Sequence, residues 1–322
     1  MEYMPEFSVL KPTTTAEAAR MLNDQNGARI LAGGTDLLVN IRRGIEAPQT
    51  LIDISAIDDV TGIACEQDGT IRIGSGVTLN TLVKNPSLPE AIVQAAAEIA
   101  AKSHQNMATV GGNLCLDTRC VYYNQSEWWR NANAYCLKSR GEICHVAPKS
   151  KICFAAFSGD LAPALLVHHA DIEILGPDGI RSCQLDDLYN DDGADHLRLQ
   201  KNEMLTAVIL PASQNHISGY GKARVRNSID FPLAGVAVRL SRDGDTLSSL
   251  DIALTGVSAC PVRLSGTDQV CGQVFGMETL DRLSHLLPKQ IQPMTSTMTP
   301  PGYRRKVANN LMRNLVERLF AG

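Results

Sequence analysis

Residues 30–38 read ILAGGTDLL, that is Ile30, Leu31, Ala32, Gly33, Gly34, Thr35, Asp36, Leu37 and Leu38. An apolar run, a glycine pair and a second apolar run follow the grammar of strand, tight turn and helix. A turn of this kind leaves the first N–H groups of the helix unpaired, and glycines let a ligand approach the backbone. A phosphate suits the place. The stretch is neither GxGxxG nor a Walker A loop, so neither standard nucleotide fingerprint applies. The bland alternative is a strand-to-helix turn with no ligand.

Residues 108–114, ATVGGNL, repeat the grammar: a hydroxyl, a glycine pair, a polar side chain. Thr109 and Asn113 carry donors for phosphate or ribose oxygens, and Gly111 and Gly112 leave space beside them. A pyrophosphate has two phosphoryl groups, so two such turns point toward a dinucleotide.

The bulk composition excludes several classes. The chain has 322 residues, 44% hydrophobic and 20% charged, with 34 acidic against 30 basic side chains and a net charge of −4. That length suits two or three domains, and no basic surplus points to nucleic acid or an anionic membrane. The longest apolar stretch, AIVQAAAEIAA, contains a Gln and a Glu and is too short to span a bilayer. MEYMPEFSVL lacks the basic and apolar regions of a signal peptide, so the expected compartment is the cytoplasm. Nine cysteines in a reducing compartment do not read as disulfides.

TTTAEAARMLNDQNG predicts a helix with a capping box from Thr14 and Glu17. ARIL, TLIDIS, TIRIGSGVT and EMLTAVILP predict strands. TLNTLVKN and PEAIVQAAAEIAAKSH predict helices. A Pro-Asp-Gly turn marks a hairpin at 177–179, and Asp243-Gly244 marks another. From about Gly219 the pattern predicts three or four antiparallel strands. The C-terminal helix recurs every four residues at Tyr303, Val307, Leu311, Leu315 and Leu319, which predicts its buried face. The whole reads as an α+β protein with a boundary near residue 215.

ILAGGTDLL, ATVGGNL, GDLAPALL and YRRKVANNLMRNL, in this order and spacing, resemble the flavoprotein subunit of molybdenum hydroxylases, the family of xanthine dehydrogenase and carbon monoxide dehydrogenase. The resemblance runs nearly end to end. It implies a two-lobed FAD-binding domain over residues 1–215 and a smaller C-terminal α+β domain over 216–322. By the same resemblance, Ile30, Leu31, Ala32, Gly33, Gly34, Thr35, Asp36 and Leu37 wrap the FAD pyrophosphate. Thr109, Gly111, Gly112 and Asn113 hold its second side. Asp160 stands near the ribityl and adenosine portion, Leu205 makes an apolar contact, and Lys222 lies near the flavin ring, where a cation stabilises reduced flavin. Ile99 occupies a position that is often aromatic in the family.

Between the second glycine turn and DLAPALL lies an excursion with Cys120, Cys136, Cys144 and Cys153, spaced C-x15-C-x7-C-x8-C. Most members of the family have a handful of residues there, whereas Cys115 to Asp160 spans 46. The spacing fits neither a zinc knuckle nor a bacterial ferredoxin run. Free thiols on a surface loop, a structural zinc and a [4Fe–4S] cluster are all open on the residues alone. The resemblance favours the cluster, because an insertion at this point is similar to the β subunit of 4-hydroxybenzoyl-CoA reductase, which holds FAD and an extra [4Fe–4S] cluster. Residues 116–157 are then an iron–sulfur loop, with the four cysteines as ligands and Tyr122, Tyr123, Trp128, Trp129 and Tyr135 as its small apolar core. Cys115 stays outside the set, and His145 is read as a neighbour of the site.

The implied role is electron transfer, with no catalytic residue in this chain. Implied partners are a molybdopterin-binding large subunit, a [2Fe–2S] small subunit and a ferredoxin-like donor. Two alternatives stand beside it: an FAD subunit passing electrons outward from another hydroxylase, and a zinc-stapled scaffold without FAD.

Overall fold

The computed structural model describes residues 4–212, 215–227 and 229–322. Residues 1–3 of the N-terminal stretch read above lie outside them. Three β-sheets organise the described residues.

The first is a small parallel sheet. It joins β1 (Ser8–Leu10), β3 (Thr50–Asp53) and β2 (Arg29–Leu31), with β3 in the middle. Helix α1 (Thr15–Asp24) connects β1 to β2, and α2 (Leu37–Arg42) connects β2 to β3. Thr14 caps α1 by accepting from the Glu17 N–H. The Glu17 carboxylate closes the box one residue early, accepting from the Thr13 N–H at 2.8 Å.

The second sheet is antiparallel, in the order β4 (Ile63–Cys65), β5 (Ile71–Gly74), β8 (Met204–Leu210), β6 (Asp171–Gly176) and β7 (Gly179–Gln184). β8 is almost wholly buried, as its unbroken apolar run requires of a central strand. Between β5 and β6 lie α3 (Leu79–Val83), α4 (Glu90–Ala97), α5 (Lys102–Gln105), α6 (Val110–Leu114), α7 (Glu127–Ala132) and α8 (Leu161–Leu166). PEAIVQAAAEIAAKSH is thus two helices, not one. Ala100 has φ +51°, a left-handed conformation that no helix continues through.

The third sheet joins β9 (Ile217–Ala223), β10 (Ala234–Asp243), β11 (Thr246–Thr255) and β12 (Val262–Arg263), with β13 (Gln273–Val274) also on β11. Its two faces differ in side-chain size. Val236, Val238, Leu240, Ile252 and Leu254 face α9 (Met277–Leu286) and α10 (Pro301–Ala321). Ala237 and Ala253 face the other way, into the core shared with α4 and α8. Alanines on that side let two helices of the N-terminal half lie close on the sheet. No described helix is long and apolar enough to cross a membrane.

The predicted buried face of α10 is displaced. Arg304, Ala308, Met312, Leu315, Val316 and Phe320 are buried, while Tyr303 is exposed and Val307, Leu311 and Leu319 lie at the margin. A four-residue repeat drifts around a helix of 3.6 residues per turn, and its neighbouring stripe won the core. Arg304 enters that core and donates to the carbonyls of Leu233 and Met294.

His168 follows α8 and is buried at the junction with the third sheet. Its Nε2 pairs with Ser218 Oγ on β9 at 3.1 Å, and Ser218 Oγ accepts from the Ala91 N–H of α4. Burial, helped by the nearby Arg239 cation, lowers the imidazole from 6.5 to about 4. The folded state therefore keeps His168 neutral, whereas the unfolded chain takes up a proton near 6.5. Its contribution is present above pH 6.5 and is lost as pH falls toward 4. Melting temperature should drop across that window, by the equivalent of about 1–3 kcal/mol for this group. In His168→Gln, whose amide oxygen can accept the Ser218 hydroxyl without titrating, the drop should be smaller.

Candidate functional site

The first glycine turn lies between β2 and α2. Ile30 and Leu31 are in β2, paired with Ile52 and Asp53 of β3. Among the described residues, the N–H groups of Gly33, Gly34, Thr35 and Asp36 meet no acceptor in the chain. Gly34 has φ +69°, a left-handed conformation that glycine enters freely and that turns the chain between β2 and α2. Four free donors at a helix start are a fit for an anion such as a pyrophosphate.

Gly33 has a second task. A β-carbon there would lie 1.7 Å from the carbonyl oxygen of Met107. Met107 immediately precedes the second turn, so the absent side chain is what lets the two turns touch. The second turn is a short helix, α6, capped by Thr109, whose Oγ1 accepts from the Gly112 N–H at 3.1 Å. Its donors are spent inside the chain, unlike those of the first. The N–H groups of Val110 and Gly111 donate to the carbonyls of Val77 and Ser75. A β-carbon on Gly111 would meet Ser75 Cβ at 2.8 Å, so this glycine lets α6 pack against Ser75. Asn113 Oδ1 accepts from the Leu161 N–H at 3.0 Å, tying the turn to α8. Ser75 itself was not singled out in the sequence. Its Oγ is buried without a partner beside α6, and the signal was the GSG of IGSGVT.

Asp160 and Lys222 come together in one buried ion pair. Lys222 Nζ donates to Asp160 Oδ2 at 3.0 Å and to the Glu98 carbonyl at 3.1 Å. Tyr220 donates to Asp160 Oδ1 at 2.5 Å. Burial pushes the Asp160 carboxyl up from its ordinary value, and the Lys222 charge offsets part of that push. Leu205 lies on β8 opposite Ile174 and packs in the main core. Ile99 lies at the margin of the same core.

In the insertion, Cys120, Cys136, Cys144 and Cys153 are all buried. Cys120, Cys136 and Cys153 share one apolar cluster with Tyr123 and Ala155. Cys144 is close enough to act electrostatically on both Cys120 and Cys153. Burial raises the thiols of Cys120 to about 11 and Cys153 to about 12. Cys115 packs instead against the main core, apart from the four. Among the described residues no three His, Cys, Asp or Glu side chains converge to hold a single metal ion. His145 is engaged elsewhere: its ring nitrogen meets the Tyr135 carbonyl and its ring lies 5.2 Å from that of Tyr122. Trp128 does not join the small apolar core. It is 78% exposed, while Trp129 turns inward toward Tyr122.

The insertion is fastened to the segment that follows the first glycine turn. Arg119 donates to Asp36 and, at 3.2 Å, to Asn40 Oδ1. Asn40 Nδ2 in turn donates to Asp36 Oδ2 at 3.0 Å. Arg130 donates to the Gly44 carbonyl at 2.7 Å, and Ile45 packs on the cysteine cluster. The loop and the glycine turn are therefore joined, although the sequence reads as two separate elements. Nothing in the residue types marked Arg119 for this contact.

Residues 5–213 match the family model described as the FAD binding domain in molybdopterin dehydrogenase. Residues 219–319 match the CO dehydrogenase flavoprotein C-terminal domain. The aldehyde oxidoreductase FAD-binding subunit PaoB of Escherichia coli K12 is 33% identical over 282 residues, spanning 84% of this chain and 87% of that one. The carbon monoxide dehydrogenase medium chain of Hydrogenophaga pseudoflava is 25% identical over 324 residues, spanning 98% of each. A crystal structure of the Cu,Mo-CO dehydrogenase in its cyanide-inactivated form has the same fold, with a TM-score of 0.81 over 99% of both chains at 24% identity. The chain belongs to the FAD-binding medium subunits of the molybdenum hydroxylase family and is an oxidoreductase subunit.

Two expectations follow. Gly33→Ala should drive the turns apart and lower the FAD content of the purified protein. Gly112→Ala should do less, because its β-carbon meets only Thr109 Oγ1 at 3.1 Å; visible absorbance of the two variants checks this. Lys222→Met should destabilise the fold by about 3–5 kcal/mol in denaturant titration, since it leaves the Asp160 carboxylate buried without its cation. Adding Asp160→Leu to that variant should recover part of the loss.

Proposed function

We propose that this FAD subunit is the electron-transfer polypeptide of a molybdenum enzyme resembling 4-hydroxybenzoyl-CoA reductase, and that it holds a [4Fe–4S] cluster on residues 116–157. The observation that carries the reading is that Cys120, Cys136, Cys144 and Cys153 are all buried, three of them in one apolar cluster and Cys144 near two of those, on an arm fixed to the first glycine turn. Four thiolates would also satisfy a structural zinc. A [4Fe–4S] cluster takes the same four thiolates, and the resemblance of the insertion favours it.

In this reading the free N–H groups of Gly33, Gly34, Thr35 and Asp36 hold the FAD pyrophosphate. Thr109, Gly112 and Asn113 form the adjoining wall. Asp160, Lys222 and Leu205 fix the floor between the two halves of the chain, with Lys222 as the cation nearest the flavin ring. Bound FAD supplies the exchange between one- and two-electron transfer, which side chains do not provide. The four cysteines supply thiolates, and Tyr122, Tyr123 and Trp129 keep water from them.

The proposed partners are a molybdopterin-binding large subunit, which carries the substrate chemistry, a [2Fe–2S] small subunit, and a ferredoxin-like donor that delivers electrons at the insertion. The substrate step assigned to the large subunit is reductive removal of the phenolic hydroxyl of 4-hydroxybenzoyl-CoA, giving benzoyl-CoA, in an anaerobic cytoplasm. The names of the relatives, an aldehyde oxidoreductase and a carbon monoxide dehydrogenase among them, favour a second reading in which electrons leave through this subunit. Flavin reduction by a reduced ferredoxin in the assembled enzyme supports the first reading; reduction only by an oxidisable substrate supports the second.

Protein purified without oxygen should contain about four irons with matching acid-labile sulfide. Cys136→Ser should lose them. Zinc without iron in the wild-type protein would remove the cluster from the proposal.

A further inference from the structure

Arg119 stands at a three-way junction. It directly precedes Cys120 in the chain. Its backbone pairs with Ala156 in both directions, at 2.8 and 2.7 Å, and this bridge closes the neck of the insertion. Its guanidinium reaches Asp36 in the first glycine turn and Asn40 in α2, and it lies 5.1 Å from the ring centre of Phe231 in the C-terminal half. Its Nε is buried without a partner.

The charge at Asp36 makes this contact consequential. A carboxylate at the edge of four free N–H groups competes with any anion for them and repels it. Arg119 and Asn40 counter that competition, because both donate to the Asp36 carboxylate and occupy its oxygens. The backbone bridge between residues 119 and 156 fixes the point from which the guanidinium reaches Asp36. Cys120 and Cys153 flank that neck, one and three residues away from its two members.

We propose that Arg119 is a positioning residue through which closure of the cysteine insertion and binding of FAD at the first glycine turn reinforce each other. This rests on the reading of FAD and cluster given above. Binding free energies linked in this way are reciprocal: whatever the closed insertion adds to FAD affinity, FAD adds to retention of the metal.

The test is a double-mutant cycle on the full chain, with FAD affinity measured anaerobically from the quenching of its fluorescence. Cys136→Ser, which lacks the cluster, should bind FAD about fivefold more weakly or worse. Arg119→Met should be weakened by a similar factor with its iron still present. The double variant should be little weaker than Arg119→Met alone, and Arg119→Lys should recover part of the affinity. A role in fold stability alone gives additive losses, and additivity would overturn the coupling. Equal FAD affinity in wild-type and Cys136→Ser protein would overturn it as well. If Arg119→Met does not fold, Arg119→Lys combined with Cys136→Ser completes the cycle. Wild-type protein that carries no iron, or no FAD, would overturn the coupling together with the reading beneath it.

Discussion

A carbonyl oxygen stands where the side chain of residue 33 would begin. That single close approach, Gly33 against Met107, sets two segments more than seventy positions apart in the chain into one continuous floor. Once they touch, the turns divide their tasks. The second turn spends its N–H groups on Ser75 and Val77 and becomes a rigid wall. The first keeps its N–H groups free. An anion site needs both: open donors, and something stiff to hold them in place.

The insertion follows the same economy. Burial pushes the Cys120 and Cys153 thiols up, which disfavours their thiolates. Two buried cations stand among them. Lys138 lies 4.7 Å from the centre of the Tyr123 ring and opposes the effect of burial at Cys153. Arg130 is buried with its guanidinium on the Gly44 and Tyr123 carbonyls. Each cation also meets a carboxylate, Lys138 that of Asp117 and Arg130 that of Glu127, so the arm holds paired charge.

Much of the architecture was legible because it rests on local rules. The capping threonine of α1, the hairpin at Asp243-Gly244 and the central position of EMLTAVILP all follow from residue type and spacing. The errors came where tertiary packing chose between near-equal local options. The repeat at Tyr303 to Leu319 lost to the adjacent stripe that includes Arg304. Trp128 was counted with the core because indoles are usually buried, yet Trp129 took that place. The glycine turns were legible as turns, but not the difference between them, since free donors appear only when every acceptor is placed. Arg119 was invisible for a related reason: an arginine beside a cysteine carries no mark of the carboxylate it meets eighty-three residues away.

The ion pair of Asp160 with Lys222 crosses the boundary between the two matched segments, one partner from each. The same crossing is made by Tyr220, and by the alanine face of the third sheet against α4 and α8. The halves are thus separate in ancestry-like pattern but not in electrostatics. Recombination between distant relatives at the linker near residue 215 would transplant a lysine without its acid, or an acid without its lysine, unless both parents carried the match. A buried charge left without its partner costs several kcal/mol, so the two segments fold well only as a matched pair.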